Sequence, residues 1–507
     1  MALFGKLIKK GIELNDALRF ENSGSPEDQP EQLRKLLEKA ENTAFGKYYG
    51  FSEILKSEDI EAAYKAAVPV CTYEEINDRW WMQQRKLPDI TRPGRPDYFA
   101  VSSGTTGKAS KKIPVTDDML QSIKDVGTEL VRALPAYDFP ESLFEAEILM
   151  LGSSADLDRS PEGFLEGEIS GINVSNFPDW YGTFYKPGKE IARIDNWEER
   201  VQRIAENAPQ WNIGAIAGIP SWILLMLKEV IRYNKADTIH DIWPSFSVYA
   251  SGGVAFDMYR KDLDALCARP VTVMDTYLAS EGFFAYTARP GTLSMKLAAA
   301  HGTYFEFIPF DERGVDETGQ IIDNPVSHRL SEVEPDTDYV LVISTCAGAW
   351  RYVIGDTVKF TSVKDREIKI TGRTKFFLNA TGSQLSEEKM DAAVCEVSDK
   401  LGITASEYAV AAVKNEAGDY IHQWVVVSDD GFDESKFAEA LDAALKEANK
   451  NYAVARGKAL KGLDVQAMRR EDYLAYLEKD KKVGGQTKTP KVMTAEKMED
   501  FLSAVPA

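Results

Sequence analysis

The chain has 507 residues, of which 44% are hydrophobic and 28% charged, ordinary values for a soluble globular protein of about two to four domains with a substantial core. Asp and Glu total 80 against 60 for Lys and Arg, a net charge of −20, so no extended basic face argues for nucleic acid or an anionic membrane. Cys71, Cys267, Cys346 and Cys395 lack paired spacing and only four histidines accompany them, which disfavours a disulfide framework or a zinc site and favours a reduced, cytoplasmic protein.

Met1 to Leu14 carries apolar residues at helical spacing, interrupted by Lys6, Lys9 and Lys10. It lacks the unbroken apolar stretch of a signal peptide and reads as an amphipathic helix, packed on the domain or in peripheral contact with a membrane. Elsewhere no apolar run approaches the roughly 20 residues needed to cross a bilayer, so integral membrane association is not expected.

Residues 101–115, Val-Ser-Ser-Gly-Thr-Thr-Gly-Lys-Ala-Ser-Lys-Lys-Ile-Pro-Val, read as a strand breaking into a hydroxyl- and glycine-rich loop that ends in basic residues. Gly104 and Gly107 let backbone N–H groups approach anionic oxygens. Ser102, Ser103, Thr105 and Thr106 add hydroxyl donors, and Lys108, Lys111 and Lys112 add charge. Such a loop suits a polyphosphate; its plain alternative is a surface turn. It is not a Walker A loop, because Ser102 stands at the first glycine position and Ala109 at the metal-binding hydroxyl position, which disfavours a kinase-like or GTPase-like core.

Farther along, short apolar or β-branched runs predict strands at 147–151, 247–250, 271–274 and 339–344. Helices are predicted for Ser221 to Arg232, after Pro220, and for Asp257 to Cys267, after Ser251-Gly-Gly253. This alternation is the pattern of α/β architecture. Past about residue 370 the pattern becomes a smaller α+β one, with helices near Ser386 to Lys400 and Glu434 to Lys450 and strands near 408–413 and 422–427. The boundary falls at 371–376, where Thr371-Gly-Arg-Thr-Lys375 combines glycine and charge as a hinge between mobile domains does.

Seven segments carry a resemblance: Ser102-Ser-Gly-Thr-Thr-Gly107 with Lys111, Ser251-Gly-Gly253, Tyr277-Leu-Ala-Ser-Glu281, Tyr304-Phe-Glu-Phe-Ile-Pro309, Arg351-Tyr-Val-Ile-Gly-Asp356, Gly372-Arg373 and Gly485-Gln-Thr-Lys-Thr-Pro490. In this order, over about residues 30 to 495, the chain resembles the adenylate-forming superfamily and, within it, the auxin-responsive acyl acid amido synthetases and their bacterial relatives. The resemblance implies an α/β fold: a large N-terminal adenylate-forming domain over 1–370 with β-sheets flanked by helices, a hinge at 371–376, and a smaller mobile α+β lid over 377–507. Plant members are longer, and Phe376 to Ser383 looks like the bacterial version of this region, which weakens any transfer of hormone substrates.

Adenylation must bring a carboxylate and ATP, both anionic, into a site that neutralises their combined charge. The resemblance implies that Ser102, Ser103, Gly104, Thr105, Thr106 and Gly107 hold the phosphates. One of Lys108, Lys111 and Lys112 screens them, and the family pattern favours Lys111. Gly252, Gly253, Tyr277 and Ser280 complete the nucleotide site. Glu281 takes Mg2+, Asp356 accepts from the ribose hydroxyls, and Arg373 contacts ribose or phosphate. Lys488, on the lid, is inserted beside the reacting phosphate. Each has a plainer alternative: an exposed glutamate for Glu281, a turn aspartate for Asp356, a junction ion pair for Arg373, and for Lys488 a solvated basic surface shared with Lys481, Lys482 and Lys491. Acyl-site expectations fall on Ile123, Ile219, Trp222 and Phe283, residue types that also serve as core.

The expected activity is an ATP-dependent acyl acid amido synthetase that forms acyl-AMP and transfers the acyl group to an amino acid or other small amine. Its small-molecule partners are thus a carboxylic acid and an amine, with ATP and Mg2+ as cofactors. The alternatives are an acyl-CoA ligase sharing the adenylation step and a non-catalytic nucleotide-binding protein.

Overall fold

A computed structural model describes residues 28–102, 110–152, 154–176, 184–253, 256–316, 319–374, 385–415, 417–479 and 491–503. The expected amphipathic helix at 1–14, loop residues Ser103 to Gly107 with Lys108, the 375–376 end of the hinge, the segment 376–383 and Lys488 lie outside the described residues.

The first nine strands are β1 (Tyr98–Ser102), β2 (Lys111–Val115), β3 (Glu147–Leu151), β4 (Asp158–Arg159), β5 (Leu165–Gly167), β6 (Tyr185–Lys186), β7 (Ile213–Gly218), β8 (Val248–Gly252) and β9 (Thr272–Ala279). The next six are β10 (Gly282–Tyr286), β11 (Met295–Leu297), β12 (Thr303–Pro309), β13 (Asp338–Thr345), β14 (Tyr352–Ser362) and β15 (Glu367–Arg373). A small sheet of order β2-β1-β5-β4 stands beside an 11-stranded sheet of order β12-β13-β14-β15-β11-β10-β9-β8-β7-β3-β6.

The large sheet changes character at β9. From β6 to β9 the pairings are parallel, which requires crossover connections. The helices Trp197–Asn207 and Pro220–Asn234 supply two of them. Pro220 opens the second helix at its first turn, where its missing N–H costs no hydrogen bond. Trp222, Ile223, Leu224, Met226, Leu227 and Val230 are buried, and the Trp222 ring meets Trp197 edge-on at 4.8 Å. From β9 to β12 the neighbours are antiparallel. β12 is buried throughout and β13 nearly so, which explains why Tyr339 to Ser344 reads as a continuous apolar run and not an alternating one.

A third sheet has the order β18-β17-β16-β19, from β16 (Glu407–Lys414), β17 (Tyr420–Val427), β18 (Leu460–Met468) and β19 (Val492–Met493). The helices Glu387–Leu401 and Glu434–Ala448 cover one face. Their Met390, Val394, Phe437 and Leu441 belong to the same apolar cluster as Trp222, Tyr259 and Leu263, so the third sheet's core is continuous with that of the large sheet. Polar contacts cross the same junction. Tyr259 donates to Glu407 at 2.5 Å, Arg470 pairs with Asp262 at 3.3 Å, Lys359 with Glu388 at 3.1 Å, and Lys261 with Asp399. Near the end of β15, Gly319 takes a φ of +78°, and a side chain there would run into the Thr374 backbone.

The strand predicted at 147–151 is β3 residue for residue, and the other five fall on β8, β9, β13, β16 and β17. The helix predicted for Asp257 to Cys267 differs: a tighter 3-10 turn at Asp257–Tyr259 precedes a short α-helix, Arg260–Ala265. That first turn buries the Tyr259 ring while its hydroxyl reaches Glu407.

Candidate active site

Glu281 lies in the two-residue turn of a hairpin, because Ala279 of β9 pairs directly with Gly282 of β10. Its carboxylate points inward and the residue is only 7% exposed. Tyr352, at the start of β14, donates its hydroxyl to Glu281 Oε1 at 3.2 Å, and Lys111 Nζ donates to that same hydroxyl at 3.3 Å. Lys111 is on β2 opposite Ser102, so the cluster stands at the stem of the hydroxyl-rich loop. Burial pushes the Glu281 carboxyl up; Lys111 opposes that rise and the neighbouring Asp356 adds to it. Burial and then Glu281 hold the Tyr352 phenol well above its ordinary value, so it stays a neutral donor.

Asp356 is not in the turn between strands that the sequence suggested, but in the interior of β14. Gly355, at φ +96°, supplies the local bend without ending the strand, because glycine adopts this region without a Cβ clash. Tyr277 donates to Asp356 Oδ2 at 2.6 Å, and Arg373 Nε lies 3.1 Å from Oδ1. Arg373 is the direct cross-strand partner of Asp356 on β15. Burial, and then Asp356, hold the Tyr277 phenol well above its ordinary value. Glu281 and Asp356 are therefore neighbouring carboxylates with different partners, one on a lysine-bridged phenol and the other on a tyrosine and an arginine.

Gly252 closes β8 opposite Thr276, and a Cβ at Gly252 would lie 3.0 Å from the Thr276 hydroxyl. Gly252 and Gly253 thus border the strand that carries Tyr277, while Ser280 shares the turn with Glu281. Of the acyl-site expectations, Ile123 packs in the same apolar cluster as Tyr277, and Phe283 lies against it. Ile219 and Trp222 lie in the other large cluster, with the helices that cover the parallel strands.

Two participants were missed. Tyr352 sat inside the 351–356 segment, where the register irregularity of β14 between Val353 and Thr357 keeps simple strand alternation from pointing to it. Lys491, grouped with a solvated surface, is only 7% exposed and pairs with Asp391 at 2.6 Å. Its backbone carbonyl accepts from Val410 of β16, so it anchors the end of the segment that carries Lys488. Among the described residues no group of three or more His, Cys, Asp or Glu could hold a metal ion. Magnesium on a nucleotide does not require one, since it commonly takes one or two carboxylates plus phosphate oxygens and water. Glu281 fits that limited demand.

The sequence matches the profiles described as GH3 family N-terminal domain at residues 23–202, GH3 family central domain at 297–373 and GH3 family C-terminal domain at 388–497. It is 24% identical over 549 residues to "Jasmonoyl--L-amino acid synthetase GH3.5" of Oryza sativa subsp. japonica, covering 91% of each chain. It is 26% identical over 263 residues to "Indole-3-acetic acid-amido synthetase GH3.8" of Oryza sativa subsp. indica, covering 46% of this chain and 41% of that one. Among solved structures, GH3.15 acyl acid amido synthetase superposes with a TM-score of 0.76 at 16% identity, covering 98% of this chain and 96% of that one. A 2-hydroxyisobutyryl-CoA ligase in the postadenylation state superposes with a TM-score of 0.54 at 13% identity, covering 96% and 93%. These two likenesses show the shared fold.

Proposed function

The chain belongs to the GH3 family, whose three domain profiles together match most of it, and from that premise we propose that it is an ATP-dependent acyl acid amido synthetase. It adenylates a small carboxylic acid and passes the acyl group to an amino acid or another small amine. The observation that carries this reading is the connected cluster Lys111–Tyr352–Glu281 beside Tyr277–Asp356–Arg373, at the stem of the Ser102 loop.

In the first half-reaction an acid oxygen attacks the α-phosphorus of ATP, a new P–O bond forms and pyrophosphate leaves. Lys111 and the residues 102–107 receive the β and γ phosphates, offsetting the charge that repels the incoming carboxylate. Asp356 accepts from the ribose hydroxyls, and Arg373 orients that carboxylate. Mg2+ would supply positive charge that offsets the negative charge developing at the reacting phosphorus. Glu281 would hold it. In the second half-reaction the amine attacks the acyl carbon and AMP departs, and water must be kept out meanwhile.

We assign the adenylation domain to 1–370, the pivot to 371–376 and the lid to 377–507, with Lys488 entering from the lid. Ile123 and Phe283 are the acyl-site residues best supported, since both belong to or pack on the apolar cluster that contains Tyr277. The unpaired cysteines, with thiols pushed up by burial to about 12 at Cys71 and Cys346, support a cytoplasmic setting.

Acid-dependent pyrophosphate exchange over a panel of acids, followed by trapping with amino acids or coenzyme A and mass spectrometry, tests this reading. Amide products are expected. Thioesters without amides would replace the amine by coenzyme A, and ATP binding without exchange for any acid would leave a non-catalytic nucleotide-binding protein.

A further inference from the structure

One short stretch of chain, Cys71 to Tyr73, is tied to both of the sheets that meet at the site. Cys71 bridges to β14 opposite Tyr352: its N–H donates to the Arg351 carbonyl at 2.9 Å, and its own carbonyl accepts from the Val353 N–H at 2.9 Å. Two residues on, Tyr73 reaches the small sheet. Its hydroxyl accepts the backbone N–H of Lys112 at 2.9 Å and gives its own hydrogen to Asn77 Oδ1 at 3.3 Å. Because β2 is the edge strand of that sheet, this N–H has no further strand to pair with, and the phenol stands in for one. The Lys112 side chain is engaged elsewhere, pairing with Glu166 of β5 at 2.5 Å, so the tie runs through backbone. Asn77 opens the π-helical turn Asn77–Trp81, a rare wide turn that recurs at functional sites. That turn holds the phenol from two sides: Arg85 donates to the same Asn77 oxygen at 2.6 Å, and the buried Trp81 ring meets Tyr73 at 6.0 Å and Tyr352 at 5.6 Å.

We infer that Tyr73 is a positioning residue for the nucleotide: through the Lys112 N–H it sets how far the outgoing strand of the Ser102 loop stands from β14, and so whether the loop and Asp356 meet the same ATP. This rests on the nucleotide site proposed above. In that site the adenosine half is held from β8, β9, β14 and β15 of the large sheet, and the β and γ phosphates from the loop of the small one. A slackened tie at Tyr73 is therefore felt at the phosphates and not at the adenosine.

The test compares two ligands on the full chain. Tyr73→Phe keeps the ring and removes both hydrogen bonds. α,β-Methylene ATP and AMP, each with Mg2+, are titrated calorimetrically into the wild type and the variant; AMP lacks the β and γ phosphates. The affinity for the ATP analogue is expected to fall about tenfold, the scale of one lost hydrogen bond, with AMP binding unchanged. A tyrosine that only stabilises the fold would lower the melting temperature and leave both affinities as they were, or weaken both by the same factor, and either result overturns the inference. Asn77→Leu, which takes away the acceptor that orients the phenol, is the second variant, with a smaller loss for the analogue and again none for AMP. If Tyr73→Phe does not fold, the same comparison on Asn77→Leu decides; if neither folds, the pair is structural and the inference is overturned. No acid enters these measurements. A wild type that does not bind the analogue defeats the nucleotide site itself, whereas a wild type that binds both ligands, with equal losses in the variant, defeats only the role of Tyr73.

Discussion

A carboxyl pushed up by burial, as at Glu281, has consequences of opposite sign for activity and for stability. The folded protein holds the Glu281 proton more tightly than the unfolded chain does, so its stability falls as pH rises from the unfolded pKa through the folded one. The penalty is complete above that window and absent below it. Glu281→Gln is therefore expected to raise the melting temperature at neutral pH, with the gain shrinking as pH falls through that window and gone below the ordinary glutamate value. The same variant should lose roughly 10²-fold or more in acid-dependent pyrophosphate exchange if Glu281 carries the metal. Thermal melts from acid to neutral pH together with exchange rates check both halves, and unchanged exchange would return Glu281 to a structural role. At this scale Glu281, Asp356 and Arg373 were legible from residue type and motif order alone. Tyr352 was not, because its importance lies in standing between two side chains, Lys111 and Glu281, that arrive from distant parts of the chain.

The segment Asp257–Ala265 does more for the assembly than its length suggests, since Tyr259, Lys261 and Asp262 each reach a residue beyond 385. Tyr259 gives its hydroxyl to Glu407, whose carboxyl burial pushes up and the Tyr259 hydrogen bond pulls back down. Tyr259→Phe leaves that buried acceptor without this donor, a loss of about 1–3 kcal/mol. A lowered urea midpoint with an unchanged slope would show it; an unchanged midpoint would mean that water or another group serves Glu407. The sequence read this segment as one regular helix, because apolar spacing does not report a first turn tightened by a tertiary contact. β3 was readable in full, since the four-residue apolar run Ile148 to Leu151, set between Glu147 and Gly152, leaves little choice. The two-residue strands β4, β6 and β19 carry too few side chains to leave a pattern.

Over the whole molecule, the order of motifs gave the two-part reading, while the packing of the parts was out of reach. Trp222 and Phe437 are separated by more than 200 positions, and nothing local announces that they share one apolar cluster. That cluster and the polar contacts around Tyr259 join the proposed lid to the rest, so a rotating lid must release them and form others. If Lys488 serves only one orientation, Lys488→Ala should slow one half-reaction far more than the other in single-turnover assays. Equal small effects on both would place Lys488 on a solvated surface, unlike the buried Lys491 three residues on.

Gly319 gives this motion a mechanical boundary condition. Any side chain there would press on the carbonyl of Thr374, the last described residue of the proposed pivot. If the lid turns there, the loop leaving β12 would bear on the pivot at Gly319, and its clearance would set where the turning part comes to rest. Gly319→Ala would shift that resting angle without altering an atom that meets substrate. The expected signature is leakage, with more acyl-AMP lost to water for each amide formed, read as the ratio of AMP released to amide made. A ratio equal to that of the wild type would show that the swivel has slack to spare.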